Sequence, residues 1–166
     1  MGLDFSVELK DVDESFPTEL NPAEIAVYIA EKKARAFEGN PEAIVITADT
    51  IVAINGEILG KPADHAEAKS MLSKLSGSTH DVFTGVSINY NGKLSSFYDR
   101  TAVSCRTINE EEIEYYINNF QPFDKAGSYG IQDWFGLTVV EKLTGSYTNV
   151  MGLPTEKLYQ HLLKIS

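Results

Sequence analysis

The pattern of apolar and polar positions divides this chain into alternating strands and helices. Alternation with a period of two, or an apolar run rich in β-branched residues, predicts a strand. Strands are predicted on these grounds at Leu3–Leu9 and at residues 43–54, 57–59, 80–89, 93–107 and 137–143. Apolar residues at helical spacing behind a capping residue predict a helix. Helices are predicted to begin near residues 22, 64, 109 and 154.

Two asparagine–glycine pairs and two glycine-rich stretches separate these elements. Asn55-Gly56 and Asn91-Gly92 are strong signals for two-residue hairpin turns. Residues 121–132 and 145–152 contain small and helix-breaking residues, and they are predicted to be loops. Strands and helices that interleave in this way, with at least two hairpins, predict a mixed-sheet α/β or α+β domain.

The first predicted helix carries a lysine on its apolar side. Asn21 is a typical N-cap and Pro22 suits the first helical position. Lys33 follows Ile29 by four residues and therefore shares its face of the helix. A lysine in such a position usually extends its ammonium group to solvent. A role in a binding site is the alternative.

Whole-chain composition restricts the function classes. The 166 residues suit one domain, and a net charge of −10 argues against non-specific binding to nucleic acid or to an anionic membrane. A phosphate ligand is still compatible with this charge, since a few lysines and a metal can make the electrostatic potential of one site positive. Cys105 is the only cysteine, so an internal disulfide and a cysteine-based zinc site are excluded. The chain shows neither a membrane-spanning run nor signal-peptide features, and a cytoplasmic location is the expectation.

A carboxylate, Asp49, lies in the middle of the apolar strand at residues 43–54. Removing an ionised carboxylate from water costs several kcal/mol, so such a group is normally paired or bound to a metal. One interpretation is a structural carboxylate that bonds to neighbouring amides. The other is a catalytic or metal-binding carboxylate that faces an anionic substrate.

The chain contains no phosphate-binding glycine loop, dinucleotide fingerprint, zinc-protease motif or nucleophile elbow. What remains is a scattered set of carboxylates and lysines. Its members are Asp13, Glu14, Lys33, Asp49, Lys61 and Lys125. Carboxylates hold Mg²⁺ or activate water, and lysines neutralise phosphate oxygens. The alternative is that these are ordinary solvated groups, which spacing alone does not refute.

Seven short motifs occur in a fixed order along the chain. They are DES (13–15), AEKKARA (30–36), TADT (47–50), GKP (60–62), LSGSTHDVFTGV (75–86), DKAGSYGIQ (124–132) and NVMGLP (149–154). Together they resemble the Maf family of nucleotide pyrophosphatases over essentially the whole chain, 1–166, as a single domain. The resemblance implies an α/β fold with an elongated mixed sheet, flanking helices and a cleft between two lobes. It also implies hydrolysis of a nucleoside triphosphate to the monophosphate and pyrophosphate with a divalent metal.

The resemblance assigns roles to individual residues. Asp49 matches the family's proton acceptor, which activates water. Glu14 matches an acidic residue that helps to hold the metal, Mg²⁺ or Mn²⁺, together with Asp49. Lys33 and Lys61 match phosphate-binding lysines, which reverses the expectation that Lys33 reaches into solvent.

Two further residues resemble the subgroup that acts on dTTP and UTP. Thr50 directly follows the matched aspartate, and Gln132 follows the AGSYGI stretch. A glutamine presents both a donor and an acceptor to a pyrimidine edge. The expected partner is therefore a pyrimidine nucleoside triphosphate, with no nucleic acid or membrane partner, and the resemblance allows a homodimer. His65, His80 and His161 are predicted not to be catalytic.

One family feature is absent from this sequence. Family members begin with a strand and a loop of the form ASxSPRR, whereas this chain starts at the family's second strand. The expected consequences are an exposed sheet edge, weaker phosphate binding and lower activity and stability. The alternative function is therefore a catalytically impaired nucleotide-binding or regulatory protein linked to septum formation.

Overall fold

The computed structural model describes residues 1–37 and 43–165 and is built on a five-stranded sheet in the order β2-β1-β3-β4-β5. The strands are β1 (Val45–Ile54), β2 (Glu57–Leu59), β3 (Thr79–Tyr90), β4 (Lys93–Cys105) and β5 (Val140–Thr144). The helices are α1 (Pro22–Arg35), α2 (His65–Leu75), α3 (Glu110–Phe120), α4 (Trp134–Thr138), α5 (Tyr147–Val150) and α6 (Thr155–Leu162). The predicted α/β fold with helices flanking the sheet is confirmed. All strand pairs within the described residues are antiparallel.

Both predicted hairpins form. Asn55 and Gly56 have φ values of 51° and 82°, and Asn91 and Gly92 have φ values of 51° and 73°. Positive φ at both central residues is the geometry whose twist matches that of the flanking strands. The turns fix the register of β2 against β1 and of β4 against β3.

Side-chain caps begin the longer helices where the sequence predicts them. Asn21 and Glu24 bond reciprocally at the start of α1, and Asn109 and Glu112 do so at the start of α3. Asp64 accepts a hydrogen bond from a backbone N–H of the first turn of α2. These caps satisfy backbone donors that the helices themselves leave unpaired.

The sheet has a different set of helices on each face. Side chains alternate along β1, so that Ile51 packs beneath α1 while Val52 enters the larger core on the opposite face. Besides Val52, the larger core includes Leu59, Leu72, Leu75, Val82, Val103, Ile113, Tyr116, Ile117 and Phe135. A smaller group beneath α6 contains Val86, Ile88 and Leu158.

Helix α1 lies directly on the backbone of β3 at Gly85. A Cβ atom added to Gly85 would stand 2.3 Å from the carbonyl carbon of Ala26, well inside van der Waals contact. Thr47 Oγ1 donates a 2.6 Å hydrogen bond to the carbonyl oxygen of Ala30 and holds the same helix to β1. The helix therefore approaches the sheet as closely as its backbone allows.

The strand predicted at Leu3–Leu9 is wrong. These residues form no strand, and Phe5 and Leu9 are 85% and 93% exposed. Alternation produces a strand only where another strand offers backbone hydrogen bonds, and none does so for residues 3–9 in the described structure.

The boundaries near the C-terminus also differ from prediction. Of the strand predicted at residues 137–143, the first two residues belong to the short helix α4, and residues 140–143 form most of β5, which begins at Val140. The predicted loop at 145–152 contains α5, and the loop at 121–132 contains two 3₁₀ turns. Asp133 and Ser146 cap α4 and α5. Neither cap was predicted from the sequence, because the helices that they begin are too short to show apolar periodicity. No described helix has the length and apolarity that a membrane crossing requires.

We expect Gly85→Ala to lower the free energy of unfolding by about 1–3 kcal/mol, because the new methyl group forces α1 away from β3. Urea denaturation measures this change. Gly60→Ala is the matched control, since a Cβ at Gly60 meets no atom within 4 Å. Equal stabilities of the two variants would contradict the close approach of α1.

Candidate active site

The ammonium group of Lys33 lies between two carboxylates. Its Nζ is 2.7 Å from Asp49 Oδ1 and 2.8 Å from Glu14 Oε1. Lys61 Nζ lies 3.6 Å from the other oxygen of Glu14. The structure thus brings together the four residues to which the family resemblance assigns the proton-acceptor, metal and phosphate roles.

The close approach of α1 at Gly85 positions this cluster. Asp49 is the cross-strand neighbour of Gly85. Lys33 follows Ala26, the residue above Gly85, by seven residues, which is two helical turns on the same side of α1. Lys33 is consequently directed at Asp49, and its location on the apolar stripe is explained by this contact.

The acidic turn that carries Glu14 is anchored by Lys32, the residue before Lys33 on α1. Lys32 donates hydrogen bonds to Asp13 Oδ2 at 3.1 Å and to the carbonyl oxygen of Ser15 at 3.0 Å. Ser15 bonds to Asp13 through both its backbone N–H and its hydroxyl group, and these bonds lower the pKa of Asp13 to about 2. Neighbouring lysines of α1 therefore act separately, since Lys32 holds the turn and Lys33 enters the cluster.

Burial decreases across the cluster from the sheet to solvent. The side chains of Asp49, Lys33, Glu14 and Lys61 are 12%, 25%, 41% and 58% exposed. Burial raises the pKa of Asp49 above its ordinary value of 3.8, although Lys33 opposes the rise. The hydrogen bond from Lys33 lowers the pKa of Glu14. Asp49 is accordingly a stronger base than an ordinary aspartate.

Lys33 keeps its proton in this setting. Burial acts to lower its pKa, but the hydrogen bonds to Asp49 and Glu14 outweigh burial, and the pKa is raised. The cluster therefore contains a fixed positive charge beside the most buried carboxylate.

Thr50 and Gln132 line a cavity on the opposite face of the sheet. The cavity has a volume of about 180 Å³, and Lys125, Tyr129 and Gly152 are also in its wall. This volume is below the range of 300–1,000 Å³ that is typical of pockets for complete drug-sized ligands. It suits a single heterocyclic ring better than a whole nucleotide.

The cluster and the cavity meet at an open edge of β1. Asp49 and Thr50 are consecutive, and consecutive strand residues point to opposite faces. Strand β2 pairs with β1 only from Val52 onward, so the preceding residues of β1 have no partner on that side in the described structure. A ligand that crosses this edge would contact both regions at once.

The wall of the cavity is joined to the end of β2 beside that edge. The N–H of Gly127 donates a 3.0 Å hydrogen bond to the carbonyl oxygen of Gly60, directly before Lys61. Lys125 lies in the same loop, two residues before Gly127, and is paired with Asp124 at 2.8 Å. Two lysines therefore flank the path between the cavity and the cluster.

A hydroxyl pair lies beneath the cavity. Thr50 Oγ1 is 2.9 Å from Thr84 Oγ1, and Thr84 Oγ1 donates to the carbonyl oxygen of Asn149 at 2.8 Å. Thr84 and Asn149 are fully buried. Sequence interpretation assigned them no role, although both lie within matched motifs, at residues 75–86 and 149–154.

The carboxylates of Glu14 and Asp49 suit a metal that the protein and a substrate hold together better than a metal that protein side chains surround completely. No group of three or more acidic, histidine or cysteine side chains that could hold a metal occurs in the parts of the chain that the structure describes. Mg²⁺ is commonly held by one or two carboxylates and completed by substrate phosphates and water. Glu14 and Asp49, which already share one cation in Lys33, fit that mode of binding.

The arginines are engaged elsewhere. Arg35 pairs with Glu31, Arg100 with Asp81, and Arg106 with Glu112. Within residues 1–37 and 43–165, the cationic groups that contact the Glu14–Asp49 cluster are lysines.

Comparison with known proteins identifies the family of this chain. The family model described as Maf-like protein matches residues 1–165. The chain belongs to the Maf-like protein family. A relative from Flavobacterium psychrophilum, named dTTP/UTP pyrophosphatase, is 47% identical over 98% of this chain and 85% of its own length. Relatives with the same name from Cytophaga hutchinsonii and Bacteroides fragilis are 45% and 46% identical over 99% of this chain, and 76% and 87% of their own lengths.

The three histidines of this Maf-like chain lie outside the cluster. His65 pairs with Glu114, and the ring of His161 stacks on Phe97 at 4.1 Å between centroids. His80 is buried, and its Nε2 is 2.7 Å from the hydroxyl oxygen of Tyr129 behind the cavity. Their lack of a catalytic role stays a prediction.

We expect His80 to make the stability of this Maf-like chain depend on pH. Burial lowers the pKa of His80 from 6.5 to about 4, so between these values the unfolded chain binds a proton that the folded chain does not. The contribution of His80 to stability is therefore fully present well above pH 6.5, and it falls by about 3 kcal/mol as the pH drops to about 4. Urea denaturation at several pH values measures this fall.

His80→Gln tests the assignment, because glutamine does not titrate and still bonds to Tyr129. Its stability should vary less over the same pH range than that of the wild type. His65→Gln is the control at a partly exposed histidine. Parallel stability curves for the wild type and His80→Gln would contradict the prediction.

Proposed function

We propose that this chain hydrolyses a pyrimidine nucleoside triphosphate, dTTP or UTP, to the monophosphate and pyrophosphate. The observation that carries the proposal is the position of Asp49. Its largely buried carboxylate has a raised pKa, is held against a lysine, and lies beside a ring-sized cavity that is reached across the edge of β1. The names of the relatives at 45–47% identity support the same substrates.

Asp49 has a free oxygen for proton transfer. Lys33 bonds to Oδ1, whereas Oδ2 has no hydrogen-bond partner among the described residues. In the proposed reaction, water attacks a phosphorus atom beside the bridge between the α- and β-phosphates as Asp49 takes its proton. The bridging P–O bond breaks, and its electron pair leaves with the departing phosphate group.

Lysines supply the positive charge that the triphosphate requires. Lys33 and Lys61 face the acidic turn, and Lys125 faces the cavity. Fixed positive charge stabilises the negative charge that shifts onto the leaving oxygen. A divalent metal held by Glu14 and Asp49 would supply further neutralisation of phosphate oxygens. The metal, Mg²⁺ or Mn²⁺, a cytoplasmic location and a homodimer belong to the same proposal, and they rest on the family resemblance.

A nucleotide-binding or regulatory protein without turnover is the second candidate. The pairing of every described arginine with a carboxylate favours it, because the cluster lacks a bidentate phosphate clamp. Asp49 favours hydrolysis, since a binding protein for an anion gains nothing from a buried carboxylate at the phosphate site. Pyrophosphate release from a panel of triphosphates with Mg²⁺ or Mn²⁺ decides between the two.

We expect Asp49→Asn to reduce kcat by about 10²–10⁴-fold, because the amide does not accept the proton of water. The fold should persist, since Lys33 keeps its pairing with Glu14. Pyrophosphate release and the melting temperature measure the two properties.

Asp99→Asn is a matched control for this change. Asp99 lies in the same sheet, is 13% exposed and pairs with Lys157 at 2.6 Å, so it resembles Asp49 in burial and pairing but lies outside the cluster. Its turnover should stay near that of the wild type. If Asp49→Asn retains more than about a third of wild-type kcat, Asp49 is not the base.

We expect kcat/KM for dTTP and UTP to exceed that for GTP and ATP, because the cavity of about 180 Å³ suits one ring and polar groups left unpaired by a wrong base lower affinity. Gln132→Glu should reduce the preference, since it removes the amide donor. Gln121→Glu, at the other end of the same loop, is the control. Comparable values for all four nucleotides in the wild type would disprove a pyrimidine site.

A further inference from the structure

The hydroxyl group of Thr84 fixes the direction of a short hydrogen-bond chain beneath the cavity. Thr84 Oγ1 is 2.8 Å from the carbonyl oxygen of Asn149 and 2.9 Å from Thr50 Oγ1. A carbonyl oxygen only accepts, and a threonine hydroxyl has one proton. Thr84 must therefore donate to Asn149, and Thr50 must donate to Thr84.

The end of this chain is held in place. The side-chain amide of Asn149 donates to the carbonyl oxygen of Val82 and to Thr101 Oγ1, each at 3.0 Å. The backbone carbonyl oxygen of Asn149, which accepts from Thr84, also accepts from the N–H of Gly152 at 3.0 Å. Because Asn149 is fully buried, its carbonyl group has no freedom to turn away from Thr84.

The proton of Thr50 is consequently committed to Thr84. The Thr50 side chain lines the cavity, and with its proton engaged its hydroxyl oxygen offers only lone pairs to a ligand there. Gln132 differs, because no hydrogen bond among the described residues fixes its amide. A rotation of the Gln132 amide by half a turn exchanges its donor and acceptor, so Gln132 adapts to different base edges and Thr50 does not.

Uracil and thymine differ from cytosine at the atom that such an acceptor recognises. The N3 position of uracil and thymine carries a hydrogen and donates, whereas N3 of cytosine is an acceptor. A hydroxyl group that only accepts forms a hydrogen bond with the N3–H of uracil or thymine. Opposite N3 of cytosine, the same hydroxyl faces another lone pair and forms no hydrogen bond. We propose that Thr84 and Asn149 fix the Thr50 hydroxyl as an acceptor and thereby select uracil and thymine nucleotides against cytosine nucleotides. This inference rests on the proposed function.

Thr84→Val tests the inference. Valine has the shape of threonine but accepts no hydrogen bond, so the proton of Thr50 is released and becomes available to N3 of cytosine. The Asn149 carbonyl oxygen keeps the N–H of Gly152 as a partner, which preserves the local fold. We expect the ratio of kcat/KM for UTP over CTP to fall at least about tenfold. Most of the change should lie in KM, because the base is bound equally in the ground and transition states.

Two variants separate this effect from a general disturbance. Thr84→Ser retains the hydroxyl and should keep the wild-type ratio. Thr79→Val removes a hydroxyl from another cross-strand pair of β3, since Thr79 Oγ1 is 2.9 Å from Ser104 Oγ at an exposed position, and it should also keep the ratio. The inference is overturned if the wild type does not discriminate, if Thr84→Val leaves the ratio unchanged, or if Thr79→Val lowers it equally.

A binding measurement separates failure of this inference from failure of the proposed function. If no triphosphate is hydrolysed, the proposed function fails. Calorimetric titration of the wild type and Thr84→Val with dTTP and dCTP then tests the inference alone. Tighter binding of dTTP by the wild type and a smaller difference for Thr84→Val support it. Equal binding of the two nucleotides by the wild type, or the same preference in both proteins, overturns it.

Discussion

The contact on which this structure depends is the approach of α1 to the backbone of β3 at Gly85. Interiors are close-packed, and a helix that sits directly on a strand has no space to accommodate another methyl group. The contact places Lys33 above Asp49, the cross-strand neighbour of Gly85. A residue without a side chain therefore sets the electrostatics of the cluster, because a lifted helix would leave a buried carboxylate without its cation.

The site is divided by the sheet itself. Asp49 belongs to the face covered by α1, and Thr50 belongs to the face covered by the other helices. The charges and the ring-sized cavity come together only at the edge of β1 that β2 leaves uncovered.

Local signals predicted most of the fold, and the matched motifs indicated four residues that the structure brings together, Glu14, Lys33, Asp49 and Lys61. Caps such as Asn21 and turns such as Asn55-Gly56 act over a few residues, so sequence reveals them. The strand prediction for residues 3–9 failed because a strand depends on a distant partner strand, which the periodicity of the segment itself does not reveal. Thr84 was missed for a related reason, since its contact with Thr50 arises from the register of β1 against β3.

The side chains of β1 alternate between the two faces of the sheet, and this alternation limits which sequence changes the site tolerates. Asp49 and Thr50 are separated by a single peptide bond, yet they serve different parts of the proposed ligand. A shift of β1 by one residue against β3 would exchange the faces of all its side chains, bringing the carboxylate into the ring cavity and the threonine beneath Lys33. Substitutions within either face change one region alone, whereas insertion or deletion of one residue in β1 would disrupt both together. Redesign of base selectivity is thus separable from the hydrolytic chemistry only while the length of this strand is preserved.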